Sequence, residues 1–84
     1  QVDGTVTTKG EYLHISGTYR GAPSVPDTVY LVVDNTAYEA FPIAEGDATG
    51  DNGFSAYLPA TLTYDTITLM GECDGVWVEL GRVY

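Results

Sequence analysis

Apolar and polar residues alternate with period two along most of this chain, most cleanly toward its C-terminal end. There Ile67, Leu69 and Cys73 share one side with Gly71 between them, while Thr66, Thr68, Met70 and Glu72 take the other. Successive side chains of a strand point to opposite faces, so the pattern predicts a half-buried strand. Asp74-Gly75 follows, and a second apolar run begins at Val76. A type I′ turn needs positive φ at both central residues and Asp-Gly tolerates it, so residues 63–83 are predicted to form a β-hairpin. A hairpin alone is marginal in water. The upstream residues must therefore supply a second apolar sheet to cover it.

Upstream, Val2, Gly4 and Val6 fall on one face of a short first strand that ends at a Lys9-Gly10 turn. Residues 11–20 place Leu13, Ile15, Gly17 and Tyr19 on one side and Tyr12, His14, Ser16 and Thr18 on the other. Gly17 inside that strand signals a bend or the close approach of another backbone. Two prolines and no periodicity make residues 21–27 a loop that crosses between sheets. Residues 28–34 are apolar on both faces, as a central strand is, and Asp34-Asn35 supplies turn chemistry. The composition of residues 38–44 fits helix or strand. Pro42 decides for an edge strand opposite 28–34, because proline breaks a helix and is tolerated at a sheet edge. Residues 45–53 read as a polar, Gly-rich loop, 54–58 as a strand with Phe54, Ala56 and Leu58 inward, and 60–64 as a bridge into the hairpin.

About seven short strands with turn signals every eight to twelve residues predict an all-β fold: an immunoglobulin-like β-sandwich of antiparallel strands, with residues 1–84 as a single domain. Four stretches carry a family resemblance: Ile15-Ser-Gly-Thr18, Val29-Tyr-Leu-Val-Val33, Asp51-Asn-Gly-Phe-Ser-Ala56 and Leu58-Pro-Ala60. Together they resemble the bacterial and archaeal Ig-like modules found in tandem on surface-layer proteins, adhesins and secreted enzymes. That resemblance implies a scaffold at the cell surface or outside the cell, and it brings no functional residues with it.

Charge narrows the partners. Twelve Asp and Glu stand against Lys9, Arg20 and Arg82, a net charge of −9. Such a chain repels phosphate backbones and anionic lipid, so no nucleic-acid partner is expected. No run approaches the about 20 apolar residues of a membrane span, so direct membrane insertion is not expected either. The one cysteine rules out an internal disulfide, and the phase of Cys73 with Ile67 and Leu69 predicts a buried thiol. The first residue is Gln, which suits a processed or excised module and an exported protein.

Candidate chemistry is sparse. His14 is the only histidine, on an outward strand position, and no Gly-x-Ser-x-Gly elbow accompanies it. No enzyme activity is expected. Glu45, Asp47, Asp51 and Asn52 crowd one Gly-rich loop and offer the hard oxygens that Ca²⁺ prefers, in a spacing unlike an EF-hand; calcium is the one cofactor considered, against a solvated acidic turn. Tyr12, Tyr30, Tyr57 and Trp77 fall opposite the aliphatic alternation and form a candidate binding or interface set. Outward aromatics suit contacts with protein copies or neighbouring modules, where Tyr and Trp are enriched. They also suit stacking on polysaccharide, the alternative reading as a carbohydrate-binding accessory module of a secreted enzyme.

Overall fold

The computed structural model describes residues 1–43 and 52–84. Seven strands follow one another: β1 (Val2–Lys9), β2 (Tyr12–Tyr19), β3 (Thr28–Val33), β4 (Thr36–Ile43), β5 (Asn52–Pro59), β6 (Ile67–Cys73) and β7 (Val76–Arg82). Every pairing is antiparallel, in the hydrogen-bonded order β1-β2-β5-β4-β3-β6-β7. This ribbon folds into two layers. One holds β1, β2, β5 and the end of β4, and the other holds β3, β6, β7 and the start of β4. Strands one, two, five and four facing three, six and seven is the immunoglobulin arrangement. The chain is an all-β, immunoglobulin-like sandwich.

The predicted alternation fills the space between the layers. Leu13, Ile15, Phe54, Ala56 and Leu58 from one sheet meet Val29, Leu31, Val33, Ile67, Leu69 and Leu80 from the other, all buried. Two inner faces built this way remove apolar surface from water at about 25 cal/mol per Å², the main term holding the sheets together. The Asp74-Gly75 turn takes φ of +51° and +80°, as the hairpin reading requires. Gly17 sits opposite Gly4 in the β1–β2 register, and a Cβ on it would lie 2.6 Å from the Gly4 Cα and against the Asp3 carbonyl. The close backbone approach expected at Gly17 is therefore present.

Two expectations change. Residues 38–44 were expected as an edge strand opposite 28–34: residues 36–40 of β4 do pair with β3, and β4 is the outer strand of each layer, but its residues 41–43 change partner to β5. Pro42 is compatible with this because it stands in the short β5 segment, opposite Phe54, after the β3 pairing has ended. Asn52 and Gly53, read as loop, begin β5, opposite Tyr19 and Thr18. One irregularity carried no sequence signal. Met70 pairs with Glu79 and Leu69 with Gly81, leaving Leu80 as an extra residue in β7. That bulge turns Leu80 into the core and brings Gly81 against Val2 of β1.

The ends and loops are tied down by backbone bonds. The Gln1 ammonium donates to the Arg20 and Leu80 carbonyls at 2.9 and 3.0 Å, joining the start of β1 to β7. The Val83 N–H donates to the Ile67 carbonyl at 2.8 Å. Residues 21–27 cross between sheets as expected, and the Asp27 N–H donates to the Glu72 carbonyl at 2.9 Å. At the same end Cys73 is buried, its thiol 3.5 Å from the Ser24 carbonyl. Burial, and secondarily the neighbouring Cys73, push the Tyr19 phenol above its usual pKa.

Asp34 fastens the other end. Its Oδ1 accepts from the Asp65 and Thr66 N–H groups, both at 2.9 Å, which fixes the loop before β6 to the β3–β4 turn. These two backbone donors favour the carboxylate and hold its pKa below the usual value. A depressed folded pKa means stability that is present above the unfolded value and lost as pH falls through the folded one. Asp34→Asn keeps an acceptor and tolerates the +54° φ, but carries no proton to titrate. Thermal melts should show the variant less stable at neutral pH, with the gap to wild type closing below about pH 4. A gap that stays constant into strong acid would show that the Asp34 charge is not what the two donors read.

Candidate functional site

The outward residues of the two sheets make two separate aromatic faces. On the β1-β2-β5 sheet, His14 stands opposite Tyr57 and the rings stack at 4.4 Å, 8° from parallel. Tyr12 meets Tyr57 edge-on, with ring centres 6.1 Å apart and planes at 84°. Thr5 and Thr7 of β1, Ser16 and Thr18 of β2, and Ser55 of β5 extend this face as a sheet of hydroxyls. His14 Nε2 lies 3.0 Å from Ser55 Oγ, a contact that reasoning from spacing missed. The two residues lie 41 positions apart, and only the β2–β5 register brings them together.

That contact is a Ser-His pair in geometry, which raises the question of chemistry. Acyl transfer needs N–H donors aimed at a developing oxyanion. Here β2 is paired on both sides, with β1 and β5, so its backbone N–H groups are taken up by the ladders. Ser55 likewise stands in register with Ser16 on one side and Phe41 on the other. The arrangement fixes the orientation of His14 and supplies no oxyanion pocket among the described residues.

On the β3-β6-β7 sheet, Tyr30 and Trp77 stack across β6, with ring centres at 4.4 Å and planes at 15°. Met70 lies beside them, between Tyr30 and Glu79 in register. Carboxylates surround the stack: Glu72 opposite Trp77, Glu39 opposite Tyr30, and Glu79 opposite Met70. The four aromatics expected to point outward do so, and the fold divides them into two pairs on opposite sides of the sandwich.

No protein-family model, curated protein or solved structure matches this chain. The site must therefore be read from its own geometry.

The remaining features are small. A polar depression of about 160 Å³, lined by Gln1, Asp3, Thr18, Tyr19 and Arg20, lies where β1 begins. Ligand pockets run to about 300–1,000 Å³, so a drug-sized molecule would not be enclosed there. Of the calcium candidates, Glu45, Asp47 and Asp51 lie outside the described residues, while Asn52 is in β5. Among the described residues no group of three or more His, Cys, Asp or Glu stands close enough to hold a metal ion. No helix among them is long and apolar enough to cross a membrane.

Proposed function

We propose that this chain is a structural immunoglobulin-like module of a cell-surface or extracellular assembly, joined to copies of itself or to neighbouring modules through strand edges and aromatic faces. The observation that carries the reading is β7. It ends the hydrogen-bonded order, and its first residues, Val76 and Trp77, are 63% and 44% exposed. An edge strand offers unpaired N–H and C=O groups to any strand laid beside it, and exposed apolar residues add burial to that contact. The bulge at Leu80 limits the straight part of this edge to residues 76–79. The family resemblance of the sequence motifs and the acidic surface agree with a solvent-rich exterior setting.

Sedimentation of the purified chain across a concentration series tests the reading. Larger species should appear as concentration rises, and they should be favoured by salt, because the charge of −9 on each copy repels the next until it is screened. Val76→Lys should abolish them by placing a charge at the edge. A chain that stays monomeric at every concentration and salt would refute association between copies. The alternative, a carbohydrate-binding module, has less support from geometry. The four rings form no single row, and in each stacked pair one ring face is already covered by its neighbour.

A further inference from the structure

We infer that the Tyr30–Trp77 face of the β3-β6-β7 sheet is a docking surface for an extended segment of a basic partner protein, with an arginine or lysine side chain lying over the aromatic stack. This deepens the structural-module reading and rests on it: Trp77 belongs both to the β7 edge and to this face, and the face is assigned here to a basic neighbour rather than to a second copy. The argument begins with area and shape. Tyr30, Val32 and Met70 are half-buried on the outer side of the sheet, Tyr30 stacks on Trp77, and Trp77 is 44% exposed, so the centre of a three-strand face is apolar and aromatic. Tyr and Trp in such a position are the residues that most often anchor a protein contact.

Charge then selects the occupant. Glu39, Glu72 and Glu79 each stand one register step from Tyr30, Trp77 or Met70, within about 5.5 Å between Cβ atoms for directly opposed pairs. The basic residue of this face is Arg82, in the next row opposite Thr68. Anything that covers the stack also removes water from these carboxylates, and an uncompensated buried charge is costly. A neutral sugar can donate hydroxyl hydrogen bonds to the glutamates but brings no opposite charge to the three of them. A second copy brings another −9 and only three basic side chains. A guanidinium or ammonium group satisfies both demands at once, since it is attracted to the face of an indole or phenol and pairs with the carboxylates around it. The planar guanidinium can also continue the Tyr30–Trp77 stack on the open side of the indole.

The test uses a capped peptide of alternating arginine and valine, with a matched peptide carrying citrulline in place of arginine. Citrulline keeps the shape and loses the charge. Trp77 is the only tryptophan, so its emission reports binding directly. Saturable binding of the arginine peptide is expected, weakening as salt rises, which is opposite to the salt dependence of association between copies. The citrulline peptide should bind at least about tenfold more weakly. Anisotropy of the labelled peptide should show a similar loss for Trp77→Ala, which leaves the net charge unchanged, and for Glu72→Gln with Glu79→Gln. Tyr12→Ala with Tyr57→Ala, on the opposite face, should bind as wild type does. Equal binding by Trp77→Ala would reduce the effect to non-specific attraction by an acidic protein and overturn the proposal. So would equal binding of citrulline, or a saturable Trp77 response to maltohexaose with none to the peptide. Because Val76→Lys leaves the face intact, failure of edge association and failure of peptide binding are read separately.

Discussion

Gly17→Ala should lower the stability of this domain by about 3 kcal/mol or more, at the upper end of what overpacking costs. At about 4–8 °C per kcal/mol for a domain of this size, the thermal midpoint should fall by more than about 10 °C. The cause is backbone rather than side chain. A Cβ on Gly17 meets the Asp3 carbonyl and comes within 2.6 Å of the Gly4 Cα, and neither can swing away as a flexible side chain would. Relief requires β1 to move off β2 across the Gly4–Gly17 pair, which also loosens the bonds from the Gln1 ammonium to Arg20 and Leu80. Hydrogen exchange should therefore show β1 amides losing protection first. A midpoint within about 2 °C of wild type would mean that the strands are further apart than this contact requires.

Phe54→Ala should cost about 3–5 kcal/mol by chemical denaturation, the range for truncating a fully buried aromatic. Phe54 is 0% exposed and is the largest of the fully buried side chains. Its position explains why the loss should fall high in that range. In register, Gly4, Gly17 and Phe54 form one inward row across β1, β2 and β5, and the ring reaches to 3.3 Å from where a Gly4 Cβ would stand. One aromatic ring thus covers two glycines that have no side chains of their own to pack. Removing it leaves a cavity in the buried cluster, and the Gly4 and Gly17 positions have no side chains that could swing in to fill it. Phe54→Leu should recover more than half of the loss. If the alanine variant loses less than about 1 kcal/mol, the row is not what seals this part of the core.

Much of this was legible from local chemistry. Asp74-Gly75 announced its turn, because few dipeptides accept positive φ twice, and the alternation of Leu13, Ile15, Phe54, Ala56, Leu58, Ile67 and Leu69 fixed which faces are buried. What escaped depends on register. Pro42 marked an outer strand position, and its pairing is to β5 alone, but nothing local said that β4 exchanges partners between Ala40 and Phe41. Gly17 signalled a bend or a close backbone approach, yet nothing in its neighbourhood said that it faces Gly4 beside Phe54. The site followed the same division. Outward pointing of Tyr12, Tyr30, Tyr57 and Trp77 is a matter of phase and was readable. Their sorting into a His14–Tyr57 stack and a Tyr30–Trp77 stack depends on which strands are neighbours.

The exchange of partners along β4 bears on how the domain comes apart. In a sandwich whose layers meet only through side chains, each sheet can open as its own unit, with its own free energy of opening. Here β4 is hydrogen-bonded to β3 through residues 36–40 and to β5 through residues 41–43, so every strand from β1 to β7 belongs to one unbroken ladder. Separating the layers means breaking backbone bonds as well as apolar contacts. The slowest amides of β3 and those of β5 should accordingly exchange at one common rate, as a single cooperative unit spanning both sheets.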